Sequence, residues 1–197
     1  RVKVANWPYP TAQPVIERLR ELGATWKLNR HGQVVGLKLK SLPLANDDLR
    51  ILRALPELKA LNLRGIHTIE GNAFSDDGLR HLVGLRKLEL LDLSANYDLT
   101  DASSQWIGQL TSLKWLSITG TDLTAASLPN LSRLRNLRRF SSNRIALNSE
   151  TVRWLSQMPL REIRHIRVKK EAVPLLARLR HLEKLPNDLY HAVRDVD

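Results

Sequence analysis

The chain has 197 residues, no cysteine and a formal net charge of +11 at pH 7. Without cysteine it has no disulfides, no thiolate nucleophile and no cysteine-ligated metal. Its length favours a single domain, and no apolar run in the sequence is long enough to span a bilayer. The strongly basic balance points to acidic partners.

The first predicted elements are a helix and a hairpin. Residues Thr11–Leu22 carry a threonine N-cap, an apolar face and a glycine stop, a pattern typical of a helix. The segments Thr25–Leu28 and Gln33–Leu39 flank NRHG, which predicts a hairpin with glycine in its turn. We therefore expect residues 1–33 to cover the apolar end of whatever follows.

The centre of the chain repeats one short pattern. In LELLDLSANYDL, Leu88, Leu91 and Leu93 take the first, fourth and sixth places, and Asn96 takes the ninth. The alternation indicates a strand with leucines on one face, and the asparagine suits the turn that follows it. The first place recurs in steps of 22 to 30 residues, at Val34, Leu58, Leu88, Leu113, Leu137, Leu160 and Leu182.

The pattern is interrupted once and loosens toward the C-terminus. The longest step contains TIEGNAF, residues 68–74, which we expect to form an inserted loop. Further on, Ser142 stands where a core aliphatic residue is expected, and Pro186 interrupts the last copy. In the copy that begins at Leu160, His165 stands where a core aliphatic residue is expected. We expect it to be a hydrogen-bonded interior histidine in preference to a metal ligand.

With these residues the chain resembles the leucine-rich repeat proteins, and its helix-bearing repeats of about 24 residues are similar to many bacterial versions. The resemblance implies an α/β solenoid with a curved parallel sheet on the concave side and helices on the convex side. The repeats would cover residues 34–185, with residues 1–33 as the N-terminal helix and hairpin cap and residues 186–197 as the C-terminal cap. The resemblance also implies that the protein is an interaction module.

Each predicted convex helix begins with a carboxylate or a hydroxyl. Because they share one repeat position, we assign these residues to helix capping, worth about 0.5–2 kcal/mol per cap, over metal binding or acid–base chemistry. They are Asp47, Asp48, Asp76, Asp77, Asp101, Thr124, Ser149 and Asp188. No histidine pair has helical i, i+4 spacing, and the sequence has no nucleophile elbow or phosphate-binding glycine loop. It therefore predicts no enzyme, no cofactor and no metal.

Residues on either side of the fourth-place leucine project away from the core and so onto the concave sheet. We single out Trp115, flanked by Leu90, as a candidate anchor for a partner; the alternative is packing against neighbouring side chains or the N-terminal segment. Trp106 and Trp154 lie in predicted helices and are expected to face the core. The predicted partner-binding residues are Lys38, Lys40, Asn62, Arg64, Leu90, Asp92, Trp115, Ser117, Arg139 and Arg164.

The charge is concentrated in one block. Residues 133–184, the basic block, contain 14 Lys and Arg against 4 Glu. We expect a protein partner with an acidic surface, because electrostatic complementarity is a common use of such blocks. Nucleic acid or another polyanion is the alternative, although no nucleic-acid-binding motif accompanies the block. Two further alternatives remain. The chain could be a structural subunit of a larger assembly. Since it begins at Arg1, it could also be the targeting part of a longer protein whose catalytic domain lies elsewhere.

Overall fold

A computed structural model describes residues 13–66 and 74–184. Within these ranges seven strands form one sheet in chain order. The first two strands are antiparallel, and every later neighbour is parallel. The strands are β1 (Thr25–Leu28), β2 (Val34–Lys38), β3 (Ala60–Asn62), β4 (Leu90–Asp92), β5 (Trp115–Ser117), β6 (Arg139–Ser141) and β7 (Glu162–Arg164). This architecture confirms the predicted α/β leucine-rich repeat solenoid.

The convex side carries short helices, one set per repeat. The 3₁₀ helices are Asn46–Ala54, Asp76–Leu82, Asp101–Ser103, Ala125–Ser127 and Lys170–Arg178. The α-helices within the described ranges are α1 (Gln13–Glu21), α2 (Ser104–Ile107), α3 (Leu128–Leu131) and α4 (Ser149–Leu155). A repeat of about 24 residues must turn back to the sheet within a few residues, and tight 3₁₀ turns allow this.

The core is a stack of equivalent positions. The repeating strand pattern places the same repeat position on adjacent strands, which lie about 4.8 Å apart, and differences in repeat length fall between the strands. The central residue of each parallel strand is paired in register with its neighbour and is at most 2% exposed; the stack comprises Leu37, Leu61, Leu91, Leu116, Phe140 and Ile163. Trp106 and Trp154 pack half-buried against the core from the convex side, as predicted.

The helix and hairpin of the predicted N-terminal cap are present. Helix α1 buries Ile16 and Leu19, and Arg18 reaches Asp48 of the first convex segment at 3.1 Å. Strand β1 extends the sheet beyond β2 by antiparallel pairing. The predicted N-cap at residue 11, most of the inserted loop and the predicted C-terminal cap with Asp188 lie outside the described residues.

The prediction for His165 is wrong. The residue is exposed and has a left-handed backbone, with φ of 58°, while the next residue, Ile166, is fully buried. A buried imidazole needs hydrogen-bond partners, whereas an isoleucine gains from burial outright, so the chain turns to place Ile166 in the core. Ser142 does occupy its expected core place at 1% exposure, and its hydroxyl has no hydrogen-bond partner among the described residues.

Two of the predicted capping carboxylates act between repeats. Asp76 accepts hydrogen bonds from the backbone N–H and hydroxyl of Thr100, at 2.8 and 2.6 Å, and Asp101 accepts the same pair from Thr124, at 2.7 Å each. The two threonines, in turn, cap their own helices. The prediction that these two aspartates cap their own helices is therefore wrong. Each instead binds the cap residue of the following repeat, because the nearly constant step brings successive helix starts together.

Close packing of the convex helices predicts a strong effect at Gly108. A Cβ atom on this residue would lie 2.5 Å from the backbone carbonyl oxygen of Asn130, a residue of α3. We expect Gly108→Ala to lower the free energy of unfolding by about 1–3 kcal/mol, measured by chemical denaturation. Gly84→Ala is the matched control, because a Cβ there has no heavy atom within 4 Å. Equal stability of the two variants would contradict this packing.

His81 predicts a pH dependence of stability. The side chain is 5% exposed, and neither ring nitrogen has a hydrogen-bond partner in the described part of the chain. Burial lowers the pKa of His81; the cations Arg53, Arg80 and Arg50 act in the same direction, and Asp47 opposes them. Below the usual histidine pKa of about 6.5, the unfolded chain takes up a proton that the folded chain resists.

Stability should therefore fall as the pH drops below about 6.5, and this contribution should be absent above it. We expect His81→Leu to be more stable than the native chain, with an advantage that grows between pH 7 and pH 5. Urea denaturation midpoints of both proteins across this range test the idea. Parallel pH profiles would show that His81 is not responsible.

Candidate interaction groove

The concave face of the sheet contains a groove of about 590 Å³, which we call the concave groove. It crosses the strands, from the N-terminal hairpin to β7, and so runs along the solenoid. Its lining residues are Thr25, Trp26, Lys27, Gly36, Leu37, Lys38, Ala60, Leu61, Asn62, Leu90, Asp92, Trp115, Arg139 and Arg164.

Strand register arranges the lining into two neighbouring rows. The apolar row consists of Gly36, Ala60, Leu90 and Trp115, paired from strand to strand in that order. Two residues further along each strand lies the polar row, which consists of Lys38, Asn62 and Asp92 and ends at Ser117, which is buried and does not line the groove. Because residues i and i+2 of a strand share one face, both rows face the groove side of the sheet.

The apolar row rises from one end of the groove to the centre. Leu90 is 36% exposed, one of three large hydrophobic residues exposed in the described ranges, and Trp115 beside it is half-buried. Toward the N-terminus the row is low, since Gly36 has no side chain. The stem of Lys27 crosses above that glycine, with carbons 3.5–3.8 Å from the position that a Cβ on Gly36 would take.

The polar row holds its central carboxylate in place. Asp92 accepts a hydrogen bond from the backbone N–H of Ser94 at 3.0 Å and a longer one from the Asn62 side chain at 3.4 Å. Asn62 itself accepts from the backbone N–H of Arg64 at 3.0 Å. A carboxylate offers about four acceptor positions, so Asp92 retains capacity for a donor from a partner.

Cations lie toward both ends of the groove. Lys38 and Arg139 are exposed, and neither forms an ion pair within residues 13–66 and 74–184. Arg164 differs, because its Nε donates to the carboxylate of Glu162 at 2.6 Å, and Glu162 is only 7% exposed. The groove therefore has a positive charge toward each end and one lining carboxylate, that of Asp92, near its middle.

The structure brings seven of the ten predicted site residues together in the concave groove: Lys38, Asn62, Leu90, Asp92, Trp115, Arg139 and Arg164. Lys40 and Arg64 are exposed just beyond the ends of their strands and do not line it. Ser117 is 5% exposed, and its hydroxyl oxygen lies 2.7 Å from that of Ser94. The predicted exposure of Ser117 is thus wrong, because its hydroxyl and that of Ser94, just beyond the end of β4, satisfy each other.

Sequence reasoning missed Trp26 and Lys27, which line the groove from β1. They precede the first repeat, so the repeat register does not place them. The only signal was the hairpin itself: pairing β1 with β2 puts Lys27 opposite Gly36 on the concave side.

The basic block does not collect on one face. Its arginines occur before strands (Arg138), on the sheet (Arg139), after a strand (Arg144) and in a convex helix (Arg153). Three of its arginines are paired with carboxylates, in the ion pairs Arg144–Asp122, Arg161–Glu183 and Arg164–Glu162. This spread follows from the repeat, since different offsets within a repeat lie on different sides of a solenoid.

The described ranges contain neither a membrane-spanning helix nor a cluster of metal-ligating side chains. No helix there is both long and apolar enough to cross a membrane. Nor do three or more histidine, aspartate or glutamate side chains in those ranges come together as a group that could hold a metal ion.

No protein-family model and no curated protein matches the chain. Similar solved structures include internalin C2 (inlC2) of Listeria monocytogenes str. 4b F2365, with 18% identity and a TM-score of 0.41, covering 78% of this chain and 80% of that one. Another is an internalin (inlF) of the same strain, with 16% identity and a TM-score of 0.43, covering 91% of this chain and 65% of that one. The fold assignment rests on the chain's own strand register, which defines a leucine-rich repeat solenoid.

Proposed function

We propose that the chain is a non-catalytic binding module that holds a protein partner in the concave groove. The observation that carries this proposal is the apolar centre formed by Leu90 and Trp115 on adjacent strands, at the middle of a groove of about 590 Å³. Exposed apolar centres rimmed by polar residues are typical of protein interfaces, and tryptophan often dominates the binding energy.

The surrounding charges support a partner segment that is mainly acidic. Lys38 and Arg139 flank the apolar centre, and complementary charge on a partner would speed association and fix its orientation. Binding of nucleic acid or another polyanion through the basic block receives less support, because the block is spread over several sides of the solenoid. A structural subunit would hold its neighbours independently of the groove.

The test compares Trp115→Ala with a matched control, Tyr97→Ala. Tyr97 is 70% exposed and does not line the groove, so its loss removes an aromatic side chain without touching the proposed surface. Each variant is immobilised, incubated with extract of the source cells, and washed at low and moderate salt with and without nuclease. Circular dichroism and thermal unfolding show whether each variant is folded.

We expect one discrete protein to be retained by the native chain and by Tyr97→Ala through moderate salt, and to be lost with Trp115→Ala. Loss of at least 2 kcal/mol of binding free energy is typical for a central tryptophan. If retention ignores Trp115 and disappears with salt or nuclease, the basic surface is the binding site. If stoichiometric subunits remain bound to every variant, the chain is a fixed structural component.

A further inference from the structure

We propose that the partner segment in the concave groove is an amphipathic α-helix, lying along the solenoid and across the strands. Its contact face would carry acidic residues at both ends, an apolar stripe between them, and a basic or donor residue near the middle. This inference rests on the proposed function and names the class of partner. Three observations carry it: what the sheet face can offer, the spacing of the apolar row, and the order of the charges.

The groove lies on the face of a sheet whose strands are each paired with their neighbours. It therefore presents side chains and no row of unpaired backbone N–H and C=O groups. An extended peptide lying there would bury its own backbone without partners, which costs free energy for every buried group. A helix satisfies its backbone internally and needs only side-chain contacts, so the sheet face suits a helix.

The apolar row has helical spacing. Adjacent strands lie about 4.7–4.9 Å apart, so the four residues from Gly36 to Trp115 span about 14–15 Å. Three turns of α-helix rise about 16 Å, so one partner side chain per turn meets each strand. An extended segment repeats one face every 6.6–6.8 Å, or about 20 Å over three repeats, and would lose register within two strands.

The relief of the row agrees with this spacing. Ala60 leaves room for close approach of a helix, and the stem of Lys27, which lies over Gly36, bounds the groove at its N-terminal end. The larger side chains of Leu90 and Trp115 project further from the sheet and would pack against the apolar stripe of the helix. The small side chain of Ala60 would then lie under one part of the helix, and the large side chains of Leu90 and Trp115 under the next part.

The charges set the expected pattern on the helix. Lys38 at one end and Arg139 at the other favour acidic residues, and Asp92 between them favours a lysine, arginine or hydrogen-bond donor. Asp92 is held by Ser94 and Asn62, so its carboxylate is already oriented for such a contact. A uniformly acidic partner would meet this carboxylate unfavourably.

The test selects peptides from two displayed libraries of equal length and composition. In one, apolar residues stand at i, i+4, i+7 and i+11; in the other they alternate; all remaining positions are randomised. Each library is selected on the native chain, and the enriched peptides are synthesised. Their affinities are measured for the native chain, Trp115→Ala, Ala60→Trp and Tyr97→Ala.

We expect enrichment from the helical library, with acidic residues at both ends and a basic residue near the middle. Binding should weaken at least tenfold with Trp115→Ala, which removes the apolar anchor, and with Ala60→Trp, which fills the groove. Binding should be unchanged with Tyr97→Ala. A central proline in the peptide should abolish binding. In the Asp92→Lys chain, the preferred middle residue should change from basic to acidic.

Enrichment from the alternating library with the same dependence on Trp115 would overturn the helix proposal and leave the groove as a protein-binding site. Failure of both libraries to yield groove-dependent peptides would also overturn it. The proposed function is judged separately by retention of a cellular protein on the native chain and its loss with Trp115→Ala, so the two failures are distinguishable.

Discussion

Replacing Phe140 by alanine is expected to lower the free energy of unfolding by about 3–5 kcal/mol. Phe140 is 1% exposed and lies in register between Leu116 and Ile163 in the core stack. Truncation removes most of its buried area and leaves a cavity that two fixed neighbouring strands cannot close. Urea denaturation gives the loss. The control is Arg139→Ala, one residue earlier on the exposed face, which should change stability by no more than about 0.5 kcal/mol.

The neighbouring core place explains why a phenylalanine stands here. The four preceding repeats have an aliphatic residue two positions later, namely Leu39, Leu63, Leu93 and Ile118, but this repeat has the buried Ser142. We interpret the pair as volume compensation, a large residue beside a small one. The double variant Phe140→Leu with Ser142→Leu should then be markedly more stable than Phe140→Ala. A double variant no more stable than Phe140→Ala would argue against compensation.

Asn96→Ala is expected to lower the free energy of unfolding by at least about 3 kcal/mol, through lost hydrogen bonds and not through a cavity. Its side-chain amide donates to the carbonyl oxygens of Leu93, at 2.7 Å, and Leu63, at 2.9 Å, and accepts from the backbone N–H of Ile66 at 2.8 Å. The residue is 4% exposed, so alanine leaves these groups buried without partners, at about 1–3 kcal/mol for each unsatisfied group. Thermal and urea unfolding measure the loss.

The matched variant is Asn96→Thr. At the same place in the next repeat, Thr121 donates to the carbonyl oxygen of Ile118 at 2.8 Å. Threonine should therefore restore one of the lost bonds and fall between the native chain and Asn96→Ala. If alanine and threonine were equally harmless, the amide would not be bridging the two repeats in the folded protein.

Asn96 also shows how local and repeat-level structure are connected. Two of its bonds join it to Leu63 and Ile66 of the preceding repeat, as Asp76 and Asp101 join their repeats to the next ones. Such bonds add to the apolar stack at each interface between repeats. Because the concave groove crosses these interfaces, their stiffness keeps its side chains at fixed spacing, which limits the entropy lost on binding.

The N-terminal hairpin belongs to the candidate site as well as to the cap. Trp26 and Lys27 line the groove, and the stem of Lys27 lies over Gly36. Damage to the hairpin would therefore change the groove even if every repeat remained folded. Binding studies on shortened chains should keep this hairpin.

Much of the groove follows from arithmetic on the sequence. Because every strand repeats at nearly the same step, offsets in the chain become lateral neighbours in the sheet, and the series Ala60, Leu90, Trp115 and Arg139 can be read directly. The same reasoning predicts the turn role of Asn96, which its hydrogen bonds confirm. It fails at His165, since a left-handed residue breaks the regular offset there.

The sequence by itself determined the solenoid, the order and register of its parallel strands, and which residues face the concave side, because these depend only on a regular repeat of apolar positions. The tertiary structure alone decided that Trp26 and Lys27 complete the groove and that the hydroxyl of Ser117 is hydrogen-bonded to that of Ser94. It also decided that Asp76 and Asp101 bind the cap residues of the following repeats. Such contacts join residues through side-chain reach and through the non-repeating hairpin. Periodicity carries no information about either.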